Sequence, residues 1–284
     1  MYIKSPAYSN GFTTIVDQNN SDLKNMAMGY LVFSQTNDEY QMDTRGCEVG
    51  INIAFGTVNI SVTTADGVQT SYDGLGERQN RFSGPPCMIY IPAGSRVLLQ
   101  AVKVPFEALV YQAPSTKATA PCVIRPQEVT TNKTGILNWS RFVRYVIQGN
   151  VDAHRIVVGE TVVPSGHWTS YPPHKHDEDN PPFEKRAEEL YLFRFNKPDG
   201  FAMIRINSDP GIKDEFDDAF VVKDGDFITV PKGYHSIAVA PGYSMIYYFC
   251  LSGEEQNWDC FQDDKRYRWI KDCETIFHES QGRF

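Results

Sequence analysis

Strand-length apolar segments recur along the whole chain, and they limit the folds that it can adopt. Runs such as VGINIAF (49–55), RVLLQAV (96–102), ELYLFRF (189–195) and SMIYYFCL (244–251) are each bounded by Gly, Pro, Asn or Asp. Regular runs of this length with turn residues between them are typical of β-sandwiches and β-barrels. A helix is expected only in the tail, from about residue 254. The chain is therefore predicted to be all-β.

A short internal repeat indicates two related barrels. The segments MIYIPAGSR (88–96) and FITVPKGYH (227–235) each place a four-residue apolar strand before Pro-x-Gly. After the glycine, Arg96 stands where His235 stands. We therefore expect two similar β-barrels in tandem, of which the second alone keeps the histidine.

Length and charge are consistent with two domains in one acidic chain. The 284 residues can form two domains of ordinary size, which we place at 1–125 and 126–284, with metal ligands in the second only. A net charge of −8 argues against a broad basic face for nucleic acid. No apolar run approaches the roughly 20 residues of a membrane span. The first residues lack the apolar core of a signal peptide, so we expect a cytoplasmic protein with unpaired thiols.

The histidines indicate where chemistry is located, because all six lie in the second half of the chain. His174 and His176 are two apart, so on a strand both side chains leave the same face. Downstream, a strand opens with Glu188 and Glu189, either of which can add a carboxylate. His235 follows a Gly-x5-Pro-x-Gly pattern and can be a fourth ligand. A lone His-x-His pair is usually a solvated strand face, but these additions favour a transition-metal site.

The arrangement His-x-His…Glu…Gly-x5-Pro-x-Gly-x-His resembles the metal-binding signature of the cupins, with a longer than usual gap before the Glu. More specifically, SYPPHKHD, EELYLFRF, DGDFITVPKGYH and APGYSMIYYF are similar to segments of the 5-deoxy-glucuronate isomerase family of bacterial myo-inositol catabolism. That family is related to the 4-deoxy-L-threo-5-hexosulose-uronate ketol-isomerases. The resemblance implies a bicupin, with two tandem double-stranded β-helix (jelly-roll) barrels.

The resemblance also implies a reaction. It is the conversion of 5-deoxy-D-glucuronate to 5-dehydro-2-deoxy-D-gluconate by enediolate proton transfer, assisted by one divalent metal ion. In the related ketol-isomerases the ligand glutamate stands two residues before a tyrosine, which selects Glu189 over Glu188. Zinc is the expected metal, and manganese, iron and nickel accept the same ligands.

Such a reaction needs an acid/base group and a cation that holds the carboxylate of the substrate. Glu188, Tyr191 and a metal-bound hydroxide are the acid/base candidates. Several lysines and arginines near the motifs can supply the cation: Arg141, Lys175, Arg186, Arg194 and Lys232. On a regular strand Lys175 points away from the metal, because it lies between the two ligand histidines.

Three other functions stay open. The chain can act on another uronate as a ketol-isomerase, it can be a metal-dependent cupin dioxygenase, or it can be a non-catalytic sugar-binding bicupin. The expected partner is a small sugar acid, with neither nucleic acid nor membrane, and a homo-oligomer is left open.

Overall fold

The computed structural model describes residues 1–6, 8–256 and 259–281. Strands make up 52% of the structure and helices 8%, which confirms the prediction of an all-β chain. Within the described residues, no helix has the length and apolarity needed to cross a membrane.

The strands of the first part of the chain are β1 (Tyr2–Ile3), β2 (Gly11–Val16), β3 (Ala27–Phe33), β4 (Glu39–Asp43), β5 (Cys47–Thr63), β6 (Gln69–Leu75), β7 (Cys87–Ile91), β8 (Arg96–Pro114) and β9 (Cys122–Ile124). The strands that follow are β10 (Thr130–Thr134), β11 (Arg141–Ile147), β12 (Ile156–Val163), β13 (Trp168–Lys175), β14 (Ala187–Phe195), β15 (Phe201–Asn207), β16 (Asp217–Lys223), β17 (Phe227–Val230), β18 (Tyr234–Val239), β19 (Met245–Gly253) and β20 (Gln262–Asp263). The helices are α1 (Trp269–Gln281) and the 3₁₀ turns Pro126–Glu128, Leu137–Trp139 and Lys265–Tyr267.

The strands form antiparallel sheets that separate along the chain. The first part builds an eight-stranded sheet in the order β2-β3-β8-β5-β7-β9, with β4 on β8 and β6 on β5. The second part builds a seven-stranded sheet, β1-β17-β14-β19-β12-β11-β10, and a five-stranded sheet, β16-β15-β18-β13-β20. Strand β1 thus joins the C-terminal sheet, because Tyr2 and Ile3 pair with Ile228 and Phe227. The two sets of sheets are called the N-terminal and C-terminal halves below.

Strand register relates the two halves. In the C-terminal half Glu189 lies opposite Val230, the residue before Pro-x-Gly. In the N-terminal half Val49 lies opposite Ile91, which also precedes Pro-x-Gly. Val49 therefore takes the place of Glu189 in the N-terminal half.

Three buried apolar clusters hold these sheets together. One fills the N-terminal barrel and includes Val49. A second fills the C-terminal barrel and includes Tyr191. The third contains residues of both halves, such as Tyr111 and Leu192, and it forms the contact between them. A strand such as β14 is buried on both faces, because one face lines the barrel and the other lines this contact.

Candidate metal centre

Strands of both C-terminal sheets bring the predicted metal ligands together. His174 lies near the end of β13 and His176 directly after it, while His235 lies on β18 and Glu189 on β14. His174 and His235 are directly opposite in the β13–β18 pairing. The ligand nitrogens of the three histidines lie within 4.8 Å of one another.

Two of these imidazoles face one carboxylate oxygen. The distance from His176 Nε2 to Glu189 Oε2 is 2.9 Å, and that from His235 Nε2 to the same oxygen is 3.3 Å. His176 Nδ1 lies 2.7 Å from the Ala187 carbonyl, and this contact fixes the ring with Nε2 towards Glu189. His235 Nε2 is buried and has no hydrogen-bond partner among the described residues. A buried nitrogen without a partner, aimed at a carboxylate, fits a bound cation.

The electrostatics of the cluster agree with that fit. Burial and the neighbouring imidazoles hold the pKa of His174 well below its usual value, so this ring is neutral. Burial acts to raise the pKa of Glu189, but His176 and His235 outweigh it and hold that pKa below its usual range. Burial likewise acts to lower the pKa of His176, and the hydrogen bond to Glu189 reverses the direction. A neutral imidazole and an ionised carboxylate are the forms that bind metal, so a bound ion would displace the proton that Glu189 favours on His176. The cluster therefore has the donor set of a candidate metal site.

The candidate metal site opens into a cavity of about 380 Å³. His174, Glu189 and Tyr191 lie on its wall, together with Tyr247, whose hydroxyl is 2.9 Å from Thr169 Oγ1. Arg141 lines the same cavity. Its Nη1 donates to the carbonyls of Trp139 and Tyr171 at 3.2 and 3.1 Å, and no carboxylate of the described residues lies within ion-pair distance.

The C-terminal segment forms another part of the cavity wall. The ring of Phe261 lies 5.5 Å from the rings of both His174 and His176. Lys271 and Glu274 of α1 also line the cavity, and Lys271 pairs with Asp263. No sequence pattern pointed to these two residues, because a strand pattern does not indicate which helix covers a barrel.

Five of the residues that sequence patterns proposed for catalysis or substrate binding do not line the cavity. Glu188 and Arg194 lie on the opposite face of β14 from Glu189, since side chains alternate along a strand. The Glu188 carboxylate accepts hydrogen bonds from the backbone N–H groups of Lys24 and Asn25 instead. Glu188 therefore lies outside the cavity and is not placed to act as the acid/base there.

The cations among them have other partners. Arg194 donates to the Tyr30 hydroxyl at 3.0 Å and pairs with an aspartate at 3.1 Å. Arg186 is exposed at the surface. Lys175 is buried among carboxylates outside the cavity, and Lys232 lies over the ring of Phe216. Of the predicted site residues outside the metal ligands, Arg141 and Tyr191 are the two that line the cavity.

Comparison with known proteins identifies the family. The model of the KduI/IolB family matches residues 1–270. The chain belongs to this family. Proteins named 5-deoxy-glucuronate isomerase from Geobacillus kaustophilus (strain HTA426) and Lacticaseibacillus casei are 33% and 30% identical to it. The first similarity covers 84% of this chain and 83% of the relative, and the second covers 93% and 95%.

Solved structures agree on the fold of this KduI/IolB member. The crystal structure of an IolB-like protein from Salmonella typhimurium LT2 has a TM-score of 0.87 at 23% identity, covering 95% of this chain and 98% of that one. The oxalate decarboxylase of Lactobacillus farciminis has a TM-score of 0.65 at 10% identity, covering 89% and 86%. The predicted cupin fold is confirmed.

Proposed function

We propose that this chain is a 5-deoxy-glucuronate isomerase, which converts 5-deoxy-D-glucuronate to 5-dehydro-2-deoxy-D-gluconate in myo-inositol catabolism. Its relatives over most of the chain carry this name, and it is an isomerase of the same family. The observation that carries the proposal is one cavity whose wall holds His174, Glu189 and an arginine without a carboxylate partner, with two further histidines within 4.8 Å of His174. Nothing in the cavity favours the other uronate, the dioxygenase or the non-catalytic alternative.

The metal ligands in this proposal are His174, His176, Glu189 and His235, which would hold one divalent ion, with zinc expected ahead of manganese, iron and nickel. When bound, such an ion acts as a Lewis acid that stabilises negative charge on the sugar oxygens as the carbon-bound proton leaves. Glu189 and the three imidazoles present oxygen and nitrogen donors that lie close to one another.

Arg141 is proposed to bind the carboxylate of the sugar acid. Its two hydrogen bonds to main-chain carbonyls fix the guanidinium at the cavity wall. Burial lowers the pKa of Arg141, the sign of a cation that has lost water without gaining a full counter-charge. An anionic ligand supplies that counter-charge, and a charge-assisted contact of this kind contributes about 1.5–3 kcal/mol.

Tyr191 is proposed to hold or move a proton at its phenol oxygen. The side chain is buried, faces the cavity and lies beside Glu189 and Ser170. A phenol at this position can donate a proton to a sugar oxygen as negative charge develops there, and so act as a general acid. Tyr247 packs edge-on against Tyr191, with ring centroids 5.2 Å apart, and restrains the ring.

The decisive experiment measures turnover of 5-deoxy-glucuronate by metal-stripped protein, with single metals added back. Activity should be absent without metal and return with zinc. The double variant His174→Ala with His176→Ala should bind no metal and turn nothing over, whereas His278→Ala, on the exposed face of α1, should match the wild type. Full activity in a metal-free double variant would refute the proposal. Parallel assays with the hexosulose-uronate and an oxygen electrode test the alternatives.

Residues 1–125 are proposed to form a cupin barrel without a metal centre, except that β1 pairs with β17 of the other barrel. Residues 126–284 are proposed to form that second barrel, and residues 282–284 lie outside the described part. Val49 replaces the ligand glutamate, and Arg96 is exposed where the matching His235 is buried. The cytoplasmic location and the oligomeric state stay predictions.

A further inference from the structure

We infer that Lys175 is a positioning residue for the metal centre, through an ion-paired network that holds two loops carrying the ligands. The inference rests on the proposed metal site. It concerns the segment 177–188, which separates His176 from Glu189 and is the long gap in the metal-binding pattern. A long connection between two ligands costs conformational entropy to order, so the chain needs contacts that hold it.

Lys175 is buried and surrounded by carboxylates. Its side chain is 7% exposed, although lysine is rarely buried without partners. Lys175 Nζ lies 2.7 Å from Asp177, 3.4 Å from both Glu178 and Glu184, and 3.9 Å from Asp209. Because it alternates with the ligand histidines, it leaves the face of β13 opposite to the metal. The ammonium group therefore does not reach the cavity, and it contacts the loop on the outside of the barrel.

The carboxylates around Lys175 in turn hold the main chain. Glu184 Oε1 accepts from the backbone N–H groups of Asp177 and Glu178 at 2.6 and 2.8 Å. These bonds hold the start of the segment against its later part. Asp177 Oδ2 accepts from the backbone N–H of Gly233 at 2.7 Å. Gly233 stands two residues before His235 in the Pro-x-Gly turn. One network thus reaches His176, the segment before Glu189 and the turn before His235.

The positive charge is what allows this network to form. Asp177 and Glu184 are close together and largely buried, and two carboxylates in such a place repel each other unless a cation lies between them. Removing one partner of a buried ion pair leaves the remaining charge uncompensated. Without the ammonium group of Lys175, the two loops should separate, and the ligands that they carry should lose their mutual positions.

The test compares zinc affinity in the full-length metal-stripped protein, by competition with a chromophoric chelator. Lys175→Met should bind zinc about 10- to 100-fold more weakly, the range for outer contacts of a metal site. It should also change the visible absorption spectrum of the Co²⁺-loaded protein, and Lys175→Arg should restore affinity in part. Lys232→Met is the matched control, since Lys232 borders the same loops and has no ion-pair partner among the described residues.

Unchanged zinc affinity and an unchanged cobalt spectrum in folded Lys175→Met would overturn the inference. If that variant does not fold, Asp177→Ala decides, because it breaks the links to both Lys175 and Gly233. Weaker zinc binding by Asp177→Ala supports the network, and wild-type binding overturns it. None of these measurements uses substrate. A protein that binds zinc but does not isomerise the sugar would refute the proposed function and leave the inference standing.

Discussion

Glu48 and Glu188 occupy equivalent positions in the two halves, and each carboxylate accepts hydrogen bonds from the backbone of the other half. Glu48 accepts from three consecutive N–H groups, at residues 154–156, over 2.6–3.0 Å. Glu188 accepts from those of residues 24 and 25, over 2.8–3.0 Å. The equivalence follows from strand register, since Val49 and Glu189 come next in the chain and lie opposite matching residues. The two halves are therefore joined by a reciprocal pair of buried carboxylates.

Glu48→Gln should destabilise the whole chain. The amide keeps one acceptor oxygen, so buried backbone N–H groups lose a charged partner, and unfolding free energy should fall by about 1–3 kcal/mol. Urea denaturation followed by tryptophan fluorescence measures the change. Glu39→Gln, at an exposed position on β4, serves as the control and should have little effect. Equal stability of Glu48→Gln and the wild type would show that the Glu48 carboxylate does not stabilise the chain.

Arg141→Met should weaken substrate binding. Loss of a charge-assisted contact of about 1.5–3 kcal/mol corresponds to a KM for 5-deoxy-glucuronate that is roughly 10- to 100-fold higher, with zinc affinity unchanged. Steady-state kinetics give the KM, and Arg186→Met, which removes an exposed arginine outside the cavity, should leave it alone. A normal KM in Arg141→Met would indicate that another cation binds the substrate carboxylate.

Tyr191→Phe should reduce kcat more than it changes KM. General acid catalysis contributes about 10²–10⁴-fold, and the variant removes only the oxygen that performs it. Zinc content should stay the same, because phenylalanine fills the same space beside Glu189. Tyr243→Phe is the control, as its hydroxyl bonds Asp199 at the surface. A wild-type kcat in Tyr191→Phe would indicate that a different group transfers the proton.

Glu274→Gln should tighten substrate binding. Glu274 Oε1 accepts from Trp139 Nε1 at 2.6 Å, and its negative charge acts on Arg141. Glutamine keeps the acceptor and removes the charge, so Arg141 gains attraction for an anionic sugar and KM should fall by a few-fold, the scale of a partly screened charge. A rise in KM would instead indicate that Glu274 itself binds the substrate.

The proposed metal ligands could be predicted from the sequence because each of them stands in a short, recognisable pattern. Two histidines at strand spacing and a third after Pro-x-Gly need only strand geometry to be brought together. The role of Glu188 could not be predicted, because β14 is buried on both faces and no polar–apolar alternation shows which face meets the cavity. Lys271 and Glu274 enter the cavity wall through the docking of a helix, which strand periodicity does not encode.

Val49 in the place of Glu189 indicates that a barrel of this kind folds without a bound ion. The N-terminal half has the same pairing around Pro-x-Gly, filled with hydrocarbon and without imidazole ligands. We therefore expect metal-stripped protein to keep its far-ultraviolet circular dichroism while turnover disappears, and unfolding on chelation would contradict this. Metal supply would then regulate how many molecules are active without changing how many are folded, so the cell could restore activity by returning the ion rather than by new synthesis.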